Sequence, residues 1–210
     1  MRPPQGVLLG EWTPSENLVQ QFATSPLHSE PSTRTLDFPY GVSVGVAKQA
    51  LSKQECAWLR EAFAQQKSEP VTITGHRTSE LSGQGSVRAT AWSPELADLM
   101  WARLKPHVLA LYGGEVQTHS HLPTDWFEMP GRKAHHKWVP VGMSPILRFM
   151  RYDSGGEHAP HYDMGYDYEK NDPNDKRRTL LSVVWYLTTC EQEEGGQTRF
   201  INERQNDLPI

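Results

Sequence analysis

The apolar residues of this chain follow helical spacing in its first half and strand-like spacing in its second. In "LSKQECAWLREAFAQQ", Cys56, Leu59 and Phe63 fall on one stripe of a helix. Ser52 is a good N-cap, and Glu55, three residues on, completes a capping box. Leu51 and Cys56 occupy the positions of a hydrophobic staple. A second helix opens in "SPELADLMWARLKPHV", with Ser93 as cap, Pro94 in the first turn and Leu96, Met100 and Leu104 as its stripe. Pro106 is expected to end or bend it, because a proline lacks the amide hydrogen that a helix interior needs.

"YGVSVGVAKQAL" predicts a strand before the first helix. "SPILRFMRY" alternates Ile146, Arg148, Met150 and Tyr152 against Leu147, Phe149 and Arg151, the signature of a strand with two unlike faces. "TLLSVVWYLTT" is almost continuously apolar and predicts a strand covered on both faces. "EQEEGGQTRFI" reads as a polar turn at Gly195-Gly196 followed by a short strand. Helices first and strands afterwards suggest an α+β domain, with helices packed outside a mostly antiparallel sheet.

Residues 1–40 are rich in Pro, Ser and Thr and show little periodicity. They are expected to form an extension that wraps the domain or stays loose, leaving 41–210 as the domain proper. Residues 67–90 read as polar loop with room for one strand, and 112–142 as irregular chain with clustered His, Pro and Trp.

Composition narrows the function classes. The net charge of −4 and pI near 6.1, with no basic block, argue against a nucleic-acid binder. No apolar run has the length of a signal peptide core or a membrane span, which points to a cytoplasmic protein with no membrane partner. Cys56 and Cys190 make no disulfide framework and suit buried thiols in a reducing compartment.

The chemistry concentrates in "EHAPHYDMG", Glu157 to Gly165. In an extended chain, side chains at i and i+2 share a face, so His161 and Asp163 can reach one metal ion together. An imidazole and a carboxylate suit Fe(II), with a further histidine completing a facial triad. An H-x-D triplet alone is common and mostly marks a surface loop. His158, three residues before His161, is expected on the opposite face, as a rim residue. His119, His121, His135 and His136 could suggest zinc, but no Cys lies near them, and a solvated or substrate-facing loop is the better reading.

In combination, "RYDSGGEHAPHYD" followed by "RRTLLSVVWYLTTCEQEEGGQTRFI" resembles the prolyl 4-hydroxylase-like branch of the 2-oxoglutarate and Fe(II)-dependent dioxygenases. That branch shows an R-Y-x-x-G run ending in H-x-D, then a Y-L strand, then G-G-x-T-x-F. "ALSKQECAWLREAF" is similar to its entry helix. The likeness spans about residues 41–201, is weak across 112–142, and is specific only when the motifs are taken together.

The resemblance implies a double-stranded β-helix, or jelly roll, with N-terminal helices packed on one sheet. It makes His161 and Asp163 iron ligands. It makes Tyr152 a hydrogen-bond partner of 2-oxoglutarate, with a strand-end aromatic as the plainer alternative. Thr198 falls at a position lining the same pocket, although Thr after Gly-Gly is also a good strand starter. Fe(II), 2-oxoglutarate as co-substrate and ascorbate are the implied cofactors. The implied reaction hydroxylates an unactivated C–H bond of a peptidyl, prolyl-like or small amino-acid-like substrate, releasing succinate and CO₂. The polar loop "MGYDYEKNDPNDKR" falls at the mouth of such a barrel, as a substrate lid or a plain surface loop.

Two family elements are missing. No histidine follows His161, and Arg199 and Arg204, the basic residues after Arg178, come too early to anchor the distal carboxylate of 2-oxoglutarate. The preferred explanation is a domain whose closing strands are absent. The alternatives are a variant that recruits an upstream histidine and one that has lost its metal, a non-catalytic oxygenase-like binding module. A cupin is disfavoured, because its H-x-H pair and following Glu do not occur in the required strand context.

Overall fold

A computed structural model describes residues 11–27, 32–37, 43–70, 85–113, 116–117, 137–158, 161, 163, 168, 174–175, 177–202 and 205–208. The architecture is mixed α+β. In chain order the elements are β1 (Glu11–Trp12), α1 (Glu16–Thr24), β2 (Ser32–Asp37), β3 (Ser43–Lys48), α2 (Lys53–Ala64), β4 (Glu69–Pro70), β5 (Ser86–Trp92), α3 (Pro94–Tyr112), β6 (Val116–Gln117), β7 (Lys137–Trp138), β8 (Ile146–Tyr152), β9 (Phe200–Asn202) and β10 (Gln205–Leu208). They divide into two compact units, one drawn from Thr13–Trp58 and Trp92–Leu147, the other from Met1–Trp12, Leu59–Ala91 and Arg148–Ile210. No helix among the described residues is long and apolar enough to cross a membrane.

The first unit contains α1, α3, the start of α2, the β2–β3 hairpin and the β6–β7 pair. Both expected helix starts form by the expected chemistry. The Glu55 amide donates to the Ser52 hydroxyl at 3.1 Å, and the Ser52 amide donates to the Glu55 carboxylate at 2.8 Å. Ser93 accepts from the Leu96 amide at 3.1 Å, and Leu96, Met100 and Leu104 are buried. Pro106 does not end α3, which runs on to Tyr112. Buried His107 and Val108 lie past the proline, so the packed face outlasts the lost hydrogen bond. Gly113 closes the helix in the left-handed region, at φ 63°.

The extension expected over residues 1–40 is not loose throughout. Ser15 caps α1, which buries Leu18 and Phe22. β2 pairs antiparallel with β3 over its full length. Local composition hid this helix and strand, because their order comes from tertiary partners that Pro, Ser and Thr content does not reveal.

One buried ion pair organises this unit. Arg103 donates to Glu55 Oε1 at 2.6 Å, to the Phe22 carbonyl at 2.8 Å and to the Leu99 carbonyl at 2.8 Å. Its guanidinium also lies 4.9 Å from the Phe22 ring centroid. Burial pushes the Glu55 carboxyl up, but the Ser52 amide, Arg103 and Ser25 outweigh that effect and hold it below the ordinary range.

The second unit centres on a four-stranded sheet. β1 runs parallel to β5, with Glu11 opposite Thr90 and Trp12 opposite Ala91. β4 pairs antiparallel with β5, and β8 also pairs with β5. The alternation expected in β8 holds: Leu147 and Phe149 are buried while Arg148 and Tyr152 are exposed. Phe149 stacks on Phe63 at 5.9 Å and meets Trp12 at 5.5 Å between ring centroids. Gly195 and Gly196 turn with φ of 77° and 81°, and the expected short strand follows as β9, paired with β10.

Two expectations fail here. The run 179–189 lies outside every strand, and Leu180, Leu181, Val183, Val184 and Tyr186 are exposed on both faces. An apolar pattern states a demand for cover, and no described strand meets it. Cys190 is exposed rather than buried, beside the Gly196 turn, while Cys56 is half-buried.

The Arg103–Glu55 pair yields a prediction. Glu55→Gln keeps the shape but leaves the buried guanidinium uncompensated, and should lower stability by about 3–5 kcal/mol in urea denaturation. Because the folded carboxyl titrates below its unfolded value, its contribution is fully present above about pH 4.3 and is lost as pH falls through the lower, folded value. Acid unfolding of the wild type should therefore show a decline in this range that Glu55→Gln lacks.

Candidate functional site

The candidate residues lie where β8 ends. Tyr152 is its last residue, and the chain turns at Asp153–Gly156 with Gly155 at φ 75°. Two short hydrogen bonds lock the turn. The Asp153 amide donates to the Gly85 carbonyl at 2.7 Å, and the Gly156 amide donates to the Asp153 carbonyl at 2.7 Å. A Cβ on Gly156 would stand 2.5 Å from the Gly85 carbonyl oxygen, so only glycine permits this approach. The segment that starts at Glu157 thus leaves from a backbone position pinned to the residue just before β5.

Beyond the turn, His161 and Asp163 come together as the sequence suggests, with Nε2 and Oδ1 3.3 Å apart. Both residues are exposed. They meet without belonging to a strand. That is also why His158 is not on the opposite face. Its ring centroid lies 4.2 Å from that of His161, with the planes tilted by 36°. The alternation of i and i+3 holds only in an extended ladder, and none of His158, His161 and Asp163 lies in a strand. Half-buried, His158 is held below the usual imidazole range by burial first, then by His161 and Arg88; Asp163 works against them.

The co-substrate candidates converge from two directions. Partial burial, followed by the nearby Tyr186, raises the Tyr152 phenol above its ordinary value. Its hydroxyl approaches the Met150 sulfur, at 3.6 Å. The Tyr186 hydroxyl hydrogen-bonds the Thr198 hydroxyl. Tyr186 thus neighbours both Tyr152 and Thr198, the two positions singled out in the sequence. Sequence reasoning passed over Tyr186 and Arg88; the Y-L motif holding Tyr186 was the available signal.

Of the proposed lid, the described part is its base. The Tyr168 amide donates to the Arg177 carbonyl at 3.2 Å, and the Arg177 guanidinium lies 5.0 Å from the Tyr168 ring centroid and 2.8 Å from Asp175 Oδ1. The middle of that loop lies outside the described residues, as do His119, His121, His135 and His136. Among the described residues no group of three or more His, Cys, Asp or Glu side chains is arranged to hold a metal ion as it stands. The donor chemistry of the His161–Asp163 pair nevertheless fits Fe(II), which takes imidazole nitrogen and carboxylate oxygen together.

No family model, curated protein or solved structure matches this chain.

The pinned turn gives a prediction that needs no ligand. Gly156→Ala drives a methyl into backbone and should cost about 1–3 kcal/mol in urea denaturation. Gly45→Ala is the control. There the three atoms nearest an added Cβ all belong to the flexible end of Leu111, and the change in stability should stay within about 1 kcal/mol. Equal effects at both positions would show that the Gly85–Gly156 approach is not a constraint.

Proposed function

We propose that the domain carrying residues 41–210 is a 2-oxoglutarate- and Fe(II)-dependent dioxygenase of the prolyl 4-hydroxylase-like kind, built on a double-stranded β-helix. One observation carries the reading. The imidazole of His161 and the carboxylate of Asp163 meet at 3.3 Å just past the end of a core strand, in the H-x-D motif, with Tyr152 at the strand's end. His161 and Asp163 hold the metal. The Tyr152 and Thr198 hydroxyls, the latter oriented by Tyr186, hydrogen-bond the carboxylate end of 2-oxoglutarate.

Bound Fe(II) would supply the O₂ chemistry that couples decarboxylation of 2-oxoglutarate to insertion of one oxygen atom into a substrate C–H bond. 2-Oxoglutarate, O₂ and R–H become succinate, CO₂ and R–OH. The chain's part is to hold and orient: Asp163 offsets the metal charge, and the tyrosine and threonine hydroxyls fix the co-substrate. The substrate class is a peptidyl, prolyl-like group or a small amino-acid-like molecule. A reducing compartment such as the cytoplasm suits both Fe(II) and the exposed Cys190 thiol. Ascorbate would return over-oxidised iron to Fe(II).

A second reading is a non-catalytic oxygenase-like binding module, favoured because no group of three His, Cys, Asp or Glu side chains among the described residues is arranged to hold a metal ion. Succinate formation separates the two. With Fe(II), ascorbate and O₂, the protein should convert 2-oxoglutarate to succinate, slowly even without substrate, and His161→Ala should reduce this to background. Succinate made equally by His161→Ala, or none made by wild type, contradicts the oxygenase reading.

A further inference from the structure

Between Thr179 and Leu187 the chain runs without a turn, bend or helix, and the first bend falls at Thr188. A stretch of this length spans about 30 Å when extended. Exposure alternates along it. Val184 and Tyr186 are 65% and 61% exposed, whereas Val183 is 40% exposed and Trp185 and Leu187 are half-buried. That is the period of a strand with one face resting on its own unit. Val183, Val184, Trp185 and Tyr186 are also residue types that favour strands. Yet among the described residues no backbone–backbone hydrogen bond involves 180–190. The run is strand-shaped, apolar and unpaired, the kind of edge onto which another strand adds.

We propose that two copies of the chain pair along this edge, antiparallel, about a two-fold axis near Trp185. The charges that flank the run select both the occupant and the direction. Arg177 and Arg178 precede it, and Glu191, Glu193 and Glu194 follow it. Arg177 lies eight residues before Trp185, and Glu193 lies eight after. Arg177, Glu191, Glu193 and Glu194 are all exposed. An antiparallel second copy therefore lays its acidic end against the basic end of the first, and the same match recurs at the other end. A parallel copy would set like charge against like charge, which is destabilising.

Asp175 already engages the Arg177 guanidinium, at 2.5 Å. The basic end thus carries less charge than the acidic one, and burial of the apolar run supplies most of the attraction. The flanking charges fix direction and register. The arrangement is isologous, one patch meeting itself, so each contact occurs twice. It pairs backbone groups that the fold leaves open and covers Val184 of both copies. The inference does not use the oxygenase reading, and its test alters no residue assigned a role there.

The test is size-exclusion chromatography of the full chain with light scattering. Wild type should run at twice the chain mass of 23.8 kDa. Val184→Lys puts a charge at an exposed position, where the fold tolerates it, and should run at the single-chain mass with an unchanged circular dichroism spectrum. Two charge variants test the direction. Glu191→Lys with Glu193→Lys leaves both ends basic, and Arg177→Glu with Arg178→Glu leaves both ends acidic. Each should be monomeric alone, with native circular dichroism, and the two mixed in equal amounts should form a dimer. A monomeric wild type overturns the proposal and leaves the edge to a strand of a different protein. A dimer that survives Val184→Lys also overturns it, because the interface then lies elsewhere. Species larger than a dimer, charge variants that dimerise alone, or variants that fail to pair when mixed overturn the two-fold antiparallel arrangement.

Discussion

The close approach of Gly85 and Gly156 is the constraint on which the candidate site depends. Here the turn after β8 meets the residue before β5, backbone against backbone, with no space for a side chain. Both strands are themselves held. β5 buries Ala89, Thr90 and Ala91 in succession, and β8 places Phe149 between Trp12 and Phe63. Two hydrogen bonds of 2.7 Å then carry that rigidity into the turn, and His158 follows two residues later. Precision at the site thus comes from the sheet, while the residues proposed to do chemistry lie just outside it. A rigid element bearing a more open functional segment is a common solution, because ligand access and burial compete.

The other unit is ordered around a different device. Glu55 serves twice, as the reciprocal partner of Ser52 in the helix cap and as the counter-charge of Arg103. Arg103 in turn satisfies the Phe22 carbonyl from a helix the sequence did not announce. The cap was legible because it is local, four residues with fixed roles. The ion pair was not, since nothing in "QEC" or "WARL" indicates which distant charge it will meet. The same contrast explains α1 and β2: each owes its order to neighbours far along the chain.

The site was legible in part for similar reasons. The H-x-D spacing correctly brings His161 and Asp163 together, because two residues is too short a distance for context to undo. The position of His158 was misjudged by applying strand geometry to a residue that follows a glycine turn and lies in no strand. The apolar run 179–189 shows the limit of pattern reading from the other side. Its composition asks for cover on two faces, yet Val184 and Tyr186 are more than 60% exposed. That exposure extends to the Thr198 and Tyr186 hydroxyls, which hydrogen-bond each other in an open position.

The claim that links these observations is that metal chemistry in this chain belongs to the segment Glu157–Asp163. Paramagnetic line broadening tests it most directly. Mn(II), which accepts the same oxygen and nitrogen donors, is titrated into isotope-labelled protein, and backbone and histidine-ring signals are followed residue by residue. The account predicts broadening that begins at His158, His161 and Asp163, reaches Tyr152 next, and spares His119, His121, His135 and His136. Broadening centred on those four histidines, or spread evenly over the acidic surface, would contradict it.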